Sequence, residues 1–235
     1  MLVATWNVNS LKARLPRVQA WLEEAQPDVL CMQETKMKQE VFPTEVFTEM
    51  GYESAHFGQG QWNGVAILSK VGLTDVVQNF AVGDPDTDAR IISATCGGAK
   101  VVCVYVPNGR ELDHEHYQYK LRWMKQLRQH VDTIATPSDD VIVTGDFNIA
   151  PLDIDVWDPA ALEGSTHVSE SSASSTQSQS CIHGGTIATA VSIKATACAS
   201  TICWFQNRLL NAPPKPPSIA TRARAKSQAI TRQCY

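Results

Sequence analysis

Val141-Ile142-Val143-Thr144-Gly145-Asp146-Phe147-Asn148 is the stretch that decides the fold of this chain. Its run of β-branched residues predicts a buried strand that ends sharply at Gly145. Asp146 and Asn148 follow at the carboxyl tip of that strand, where the alternation of side chains directs both to the same side. Taken alone, the stretch is explained at least as well by a Gly-Asp turn with a local side-chain hydrogen bond.

Two further strands near the start of the chain also end on polar residues. One apolar segment ends at Asn7, and a second, residues 28–34, ends at Glu34. Between them, the apolar spacing over residues 11–25 predicts a helix that Ser10 would cap. A strand-helix-strand unit of this length is consistent with parallel strands joined by a right-handed crossover, and a mixed sheet stays open.

The rest of the first 170 residues alternates between strand and helix patterns. The predicted elements are a helix over 40–50, strands over 64–69, 90–94 and 100–106, and a helix over 114–131. This alternation predicts an α/β fold, in which chemistry usually lies at the carboxyl ends of the strands.

The polar residues at these strand ends are of a matched kind: Asn7, Glu34, Tyr105, Asp146 and Asn148. Carboxylate and amide oxygens suit Mg²⁺, which needs only one or two protein carboxylates. An aspartate can take a proton from an attacking water, and amide or phenol groups can contact a phosphate. Each residue taken alone could equally be a hydrogen-bonded polar group at a strand end. Taken together, the five residues predict hydrolysis of a phosphodiester.

Five motifs follow one another along the chain: Thr5-Trp6-Asn7-Val8-Asn9-Ser10, Gln33-Glu34-Thr35-Lys36, Trp62-Asn63-Gly64-Val65-Ala66-Ile67, Tyr105-Val106-Pro107-Asn108-Gly109 and Gly145-Asp146-Phe147-Asn148. In kind and order they resemble the motifs of the exodeoxyribonuclease III family, a branch of the endonuclease/exonuclease/phosphatase superfamily, and the resemblance covers Met1 to about Glu170. The third and fourth motifs favour the DNA-repair branch over inositol phosphatases or sphingomyelinases. The resemblance implies a four-layered α/β sandwich, with two packed mixed sheets flanked by helices.

The resemblance also implies a Mg²⁺-dependent nuclease, with Mn²⁺ as a possible substitute, that cuts DNA at abasic sites and degrades it from 3′ ends. It implies a monomer whose partner is double-stranded DNA. The implied roles are metal binding by Asn7 and Glu34, catalysis by Tyr105, Asp146 and Asn148, phosphate contact by Asn108, and support of the metal ligands by Asn9. We add the hypothesis that basic residues line one face for the DNA backbone, namely Lys36, Arg90, Arg110 and Lys120.

Composition suggests a cytoplasmic protein. The 235 residues suffice for one large domain or two small ones, and the net charge is −4. No apolar run is long enough for a membrane span, and no signal peptide is evident. The seven cysteines lack metal-ligand spacing, which favours a reduced compartment.

The composition changes abruptly after Glu170. All 24 acidic residues precede that point, whereas residues 171–235 contain none and carry seven basic residues. Low-complexity Ser-rich and Pro-rich segments follow, and neither predicts a packed element. We therefore predict that residues 1–170 form the domain, that the second sheet is incomplete after about residue 170, and that residues 171–235 are disordered.

The family resemblance implies a late Asp after Arg-Ile and a C-terminal Ser-Asp-His, and neither motif occurs in this chain. Read in a shifted frame, the codons of residues 198–201 permit Arg-Ile-Asp, and those of residues 227–235 permit Pro-Ser-Asp-His. We interpret the tail as a frameshifted translation, which predicts poor expression and loss of nuclease activity. The alternatives are a disordered basic tail that helps DNA binding, or a Ser/Pro linker. Two other functions stay open: hydrolysis of a non-DNA phosphoester such as an inositol phosphate, and a non-enzymatic product.

Overall fold

Nine strands and three α-helices make up the part of the chain that the computed structural model describes, which is residues 1–111, 113–149 and, as backbone only, 189–194. The strands are β1 Val3–Asn7, β2 Val29–Gln33, β3 Glu53–Phe57, β4 Val65–Ser69, β5 Thr74–Gln78, β6 Ile91–Cys96, β7 Ala99–Tyr105, β8 Asp140–Asp146 and β9 Thr189–Lys194. The helices are α1 Leu11–Ala25, α2 Thr44–Glu49 and α3 Glu115–Ile134, with a short 3-10 helix at Gln39–Val41.

The strands form two mixed sheets. The first has the order β1-β2-β4-β3 and the second the order β5-β6-β7-β8-β9. Each sheet contains one parallel pair, β1 with β2 and β7 with β8, and its other pairings are antiparallel. Because α1 joins β1 to β2 and α3 joins β7 to β8, both parallel pairs are crossover units of the predicted kind.

Three apolar clusters hold the layers together, and their members alternate along the strands as a two-faced sheet requires. Leu30 and Met32 of β2 face α1 and α2, whereas their neighbour Cys31 faces the second sheet. Val102 and Val104 of β7 pack under α3. The layers are therefore helices, first sheet, second sheet and helix, and the predicted four-layered α/β sandwich is confirmed.

Several local predictions differ from the structure. The helix predicted over residues 40–50 is two short helices separated at Pro43, because proline has no N–H to continue the hydrogen-bond ladder. Ser10 precedes α1 without a capping side-chain hydrogen bond. The edge strands β3 and β5 were not predicted, because β5 is largely exposed and β3 mixes polar and apolar residues without an apolar run.

The second sheet extends beyond Glu170. Strand β9 pairs antiparallel with β8 from Asp140↔Lys194 to Gly145↔Thr189. It lies in the segment for which no packed element was predicted, so for these six residues the structure differs from the prediction. Within Thr189–Lys194, the last four residues alternate apolar and polar side chains and include two β-branched apolar ones, a strand pattern that the surrounding Ser- and Ala-rich composition masks. The remaining predictions for residues 171–235 lie outside the described residues.

None of the helices that the structure describes is long and apolar enough to cross a membrane.

Candidate active site

The four predicted strand ends meet at one edge of the two packed sheets. Asn7 ends β1 and Glu34 follows β2 in the first sheet, while Tyr105 and Asp146 end β7 and β8 and are paired in the second. The amide nitrogen Nδ2 of Asn7 lies 2.7 Å from Oε1 of Glu34 and 2.9 Å from Oδ2 of Asp146. The predicted site residues of both sheets therefore form one hydrogen-bonded cluster.

Gly145 allows the two strands of the second sheet to bring Tyr105 and Asp146 together. Its φ of 146° lies in a region that other residues rarely adopt, and a Cβ there would lie 1.9 Å from the carbonyl oxygen of Val104. The close approach of β8 to β7 at this point therefore requires glycine.

Glu34 is held ionised at the edge of the first sheet. Burial would raise the pKa of its carboxyl group, but hydrogen bonds from Lys36, Asn7 and Tyr105 outweigh burial and lower the pKa below its usual value. The Lys36 ammonium lies 2.8 Å from Oε2 of Glu34. A half-buried, ionised carboxylate is suited to binding a hard cation.

Asp146 has the opposite shift. Burial raises the pKa of its carboxyl group, and the charge of Glu34 adds to the increase, against hydrogen bonds from Asn7 and from the backbone N–H of Asn148. The Asn148 N–H donates to Oδ1 of Asp146 at 2.9 Å. Two neighbouring carboxyl groups with pKa values shifted in opposite directions can take different roles, one as a ligand and one as a proton acceptor.

Tyr105 remains a phenol at any ordinary pH. Burial raises the pKa of its hydroxyl group well above the usual value, and the negative charge of Glu34 raises it further. The guanidinium carbon of Arg90 lies 4.8 Å from the centre of the Tyr105 ring. The phenol can therefore donate a hydrogen bond to a phosphate oxygen, with a cation beside its ring.

Asn108 and Asn148 lie at the open side of the cluster. Nδ2 of Asn148 donates to the carbonyl oxygen of Val106 at 2.8 Å, which leaves Oδ1 facing Nδ2 of Asn108 at 3.4 Å. Asn108 is exposed, and its Oδ1 accepts from the backbone N–H of Arg110 at 2.8 Å. The structure thus brings both predicted amides to the same rim, where they could contact a phosphate.

Asn9 contacts Asn7 and Lys36, the two residues that hydrogen-bond Glu34 from the first sheet and the loop after it. Its backbone N–H donates to Oδ1 of Asn7 at 3.0 Å, and its side-chain oxygen accepts from Lys36 at 2.5 Å. Lys36 in turn binds Glu34, so Asn9 orients both the amide and the ion pair of the site.

One of the four residues predicted to line a DNA-binding face does not lie on a surface. Lys120 is only 4% exposed, because α3 places it on the same buried face as Trp123 and Leu127. Its ammonium binds the backbone carbonyl oxygens of Phe147 and Asn148. The prediction of a backbone-phosphate contact by Lys120 is therefore wrong.

Two acidic residues near the site were not predicted. Asp86 accepts hydrogen bonds from the Tyr119 hydroxyl and from Nε1 of Trp123, and so ties the loop before β6 to α3. Asp88 pairs with Nε of Arg90 at 2.9 Å and fixes that guanidinium beside Tyr105. The Asp-Thr-Asp-Ala-Arg spacing was a visible signal, but solvated loops often contain such charges.

The donor chemistry of the cluster fits a hard divalent cation. Among the residues that the structure describes, no group of three or more His, Cys, Asp or Glu side chains is placed to hold a metal ion. Glu34 and Asp146 instead converge on the Asn7 amide, which gives the sparse oxygen set that Mg²⁺ accepts. In the structure the amide nitrogen of Asn7 faces the two carboxylates, so metal binding through its oxygen requires the amide to rotate.

Fold and site together define an α/β sandwich protein with a carboxylate-amide cluster at the shared edge of its two sheets. The chain belongs to the endonuclease/exonuclease/phosphatase family, whose sequence model matches residues 4–224.

Proteins similar to this chain include nucleases and DNA-repair proteins. The chain is 33% identical over 161 residues to exodeoxyribonuclease III from Haemophilus influenzae, covering 66% of this chain and 60% of that protein. Among solved structures, an AP endonuclease from Archaeoglobus fulgidus is 40% identical with a TM-score of 0.66, covering 71% of this chain and 65% of that one. A 3′ phosphatase from Neisseria bound to a product DNA hairpin is 38% identical with a TM-score of 0.67, covering 73% and 66%. The chain therefore spans somewhat less than two thirds of the length of these relatives.

Proposed function

We propose that this chain carries the metal- and phosphate-binding part of a Mg²⁺-dependent DNA phosphodiesterase of base-excision repair, which cuts at abasic sites and removes nucleotides from 3′ ends. The observation that carries the proposal is the Asn7 amide between Glu34 and Asp146, because it joins the strand ends of both sheets into one site. The names of the similar proteins support the choice of DNA as substrate.

In the proposed mechanism, Glu34 and Asn7 would hold Mg²⁺, or Mn²⁺ in its place, which would supply positive charge beside the phosphate. Asp146 takes the proton from the attacking water, for which its raised pKa makes it a better acceptor than an ordinary aspartate. Asn148 orients that water. Tyr105 and Asn108 donate hydrogen bonds to the phosphate oxygens, which gain charge in the transition state.

Double-stranded DNA is the proposed partner, bound by a monomer in the cytoplasm. The half-buried Lys36 and Arg90 lie beside Glu34 and Tyr105, and the exposed Arg110 lies beside Asn108. These three cations place positively charged groups beside the phosphate-binding side chains, with Lys36 paired to Glu34 and Arg90 paired to Asp88.

We further propose that the tail after Glu170 is a frameshifted translation and that the 235-residue chain is therefore a poor enzyme. Its support is the loss of every carboxylate in residues 171–235 and the absence of the Asp-His pair that the family resemblance implies. Sequencing the locus tests the first part. A gene whose alternative frame is interrupted by stop codons would rule the frameshift out.

The experiment that tests the function compares the 235-residue chain with the product of the frame-restored gene. Both receive three substrates: abasic duplex DNA, 3′-phosphate-ended duplex DNA and an inositol phosphate. We expect the frame-restored protein to cleave DNA in Mg²⁺ and to lose that activity in EDTA, with the 235-residue chain far slower. Turnover of the inositol phosphate alone would contradict a DNA substrate, and equal rates for both proteins would contradict the inactivity of this chain.

A further inference from the structure

Lys120 is a lysine in a place where lysines are rarely found. It lies on the apolar face of α3 with Trp123 and Leu127, and only 4% of it is exposed. Lysines are almost never buried to this degree unless the ammonium is paired with a carboxylate. None of the ion pairs in the described part of the chain includes Lys120.

The ammonium of Lys120 binds two backbone carbonyl groups instead. Its Nζ lies 3.3 Å from the carbonyl oxygen of Phe147 and 2.5 Å from that of Asn148. These carbonyls belong to the turn that follows β8, in which Asn148 has a left-handed φ of 49°. Buried carbonyl oxygens require a donor, and this turn obtains it from a helix that precedes it in the chain.

The turn decides where the side chains of Asp146, at the end of β8, and Asn148, two residues later, point. The Asn148 N–H donates to Oδ1 of Asp146, and Nδ2 of Asn148 donates to the carbonyl oxygen of Val106. A shift of the Phe147 and Asn148 peptide groups would move both side chains relative to Glu34, which is fixed in the other sheet. We propose that Lys120 is a positioning residue of the site, whose ammonium holds this turn and so aligns Asp146 and Asn148 with the ligands of the first sheet.

The cost of burying Lys120 supports a role beyond packing. Burial lowers the pKa of the ammonium to about 8, with the charge of Asp146 opposing the decrease. A methionine of similar length would fill the same space without a charge to desolvate. Stability alone therefore does not explain a lysine at this position, whereas its two hydrogen bonds to the turn do.

This role rests on the proposed function, and the test separates the two. In the 235-residue chain, Lys120→Met removes the ammonium and keeps most of the stem. Lys125→Met makes the same change at an exposed position of the same helix and serves as the matched control. Hydrogen exchange by NMR then follows the Asn148 N–H, bound to Asp146, and the Val8 N–H, which donates to the carbonyl of Gln33 at 2.9 Å in the first sheet.

We expect Lys120→Met to accelerate exchange at Asn148 about tenfold or more, with Val8 unchanged, and Lys125→Met to change neither. With enzyme in excess over abasic duplex DNA, the cleavage rate at saturation should fall by about tenfold to a hundredfold, as misplacement of reacting groups predicts. The dissociation constant for DNA should stay within about twofold of its original value, because Lys120 does not reach the surface.

Unchanged exchange at Asn148 would overturn the proposal, and so would equal acceleration at Asn148 and Val8, which indicates a general loss of stability. Weaker DNA binding with an unchanged rate at saturation would also overturn it. If the unaltered 235-residue chain cleaves no DNA, the proposed nuclease function fails for this chain. The exchange rates still decide whether Lys120 holds the turn.

Discussion

The Asn7 amide connects the two halves of this site, as does the Tyr105 hydroxyl, which donates to Glu34. Asn7 is buried at the end of β1, and its Nδ2 donates to a carboxylate from each sheet. Glu34 and Asp146 would otherwise repel each other across the sheet interface. A cation can take the place of the amide nitrogen between these two carboxylates. The geometry that stabilises the folded chain is therefore also suited to binding a metal ion.

Glu34 is the residue whose loss should weaken metal binding most. Glu34→Gln removes the ionised carboxylate while keeping its shape, so we expect the affinity for Mg²⁺ and Mn²⁺ to fall about tenfold or more. Calorimetric titration of both ions measures this, and Glu23→Gln on the exposed side of α1 is the control. Equal affinities in the two variants would exclude Glu34 as a metal ligand.

Gly145 is the residue at which one added methyl group should lower the stability of the protein most. Its Cβ would lie 1.9 Å from the Val104 carbonyl oxygen at a φ of 146°. We expect Gly145→Ala to lower the free energy of unfolding by about 2–4 kcal/mol, from strain and overpacking together. In Gly72→Ala the φ is also positive, at 89°, but nothing lies within 4 Å of the new Cβ. That variant should lose only about 1–2 kcal/mol.

Denaturant unfolding at neutral pH compares the two alanine variants. A loss at Gly145 no larger than the loss at Gly72 would show that β8 can move away from β7, against the tight approach described above.

At the scale of elements, α3 supports the second sheet through polar contacts as well as apolar ones. Lys120 binds the turn after β8, Trp123 binds Asp86, and His130 binds both the loop before β6 and β6 itself. His130 accepts from the Ala81 N–H at 2.9 Å and contacts the Ser93 hydroxyl at 3.2 Å. The helix therefore fixes the loop that carries Arg90 and the turn that carries Asn148.

His130 should make the stability of the protein depend on pH. Burial lowers its pKa from 6.5 to about 4, so the folded protein binds fewer protons than the unfolded chain between these values. Its contribution is fully present above about pH 6.5 and is lost as the pH falls towards 4. His56 has the same shift and cause, so the two contributions add.

The variant His130→Gln should flatten the dependence of unfolding free energy on pH between 6.5 and 4 by up to about 1.4 kcal/mol per pH unit. Urea unfolding at several pH values measures the slope. His116→Gln, near the exposed start of the same helix, is the control and should keep the original slope. An unchanged slope in His130→Gln would mean that the acid sensitivity arises elsewhere.

At the scale of the whole molecule, the second sheet depends on residues beyond Glu170. Strand β9 covers the edge of β8, which would otherwise present unpaired N–H and C=O groups. β8 is also the strand that ends in Asp146. The loss of β9 would thus expose an edge in the strand that carries half of the site.

Two truncated chains test this contribution. A chain ending at Lys194 keeps β9 and serves as the reference. A chain ending at Glu170 lacks β9 and should unfold at a lower temperature and associate, because an open edge invites pairing with other chains. Thermal unfolding and gel filtration measure both properties. Equal behaviour of the two truncated chains would show that residues 171–194 contribute nothing to the fold.

Much of the framework could be predicted from local patterns. The apolar spacing over 11–25 matches α1 residue for residue, and the β-branched run at 141–144 lies within β8. These patterns succeed because a helix or strand with one buried face must repeat its apolar residues with the period of the element. They fail for β3 and β5, where the exposed edge of a sheet imposes no such repeat. They also fail for β9, whose short pattern lies within a biased composition.

That these side chains lie at one edge was also predictable, because Asn7, Tyr105 and Asp146 end strands, Glu34 follows one, and the carboxyl ends of parallel strands share an edge. How these side chains interact depended on the packing of one sheet against the other. Asn7 and Asp146 are 139 positions apart, and no local pattern specifies that one amide lies between two carboxylates. The buried position of Lys120 has the same origin: a lysine in sequence is a surface residue by default. Only the docking of α3 on β8 places its ammonium against the turn at Asn148.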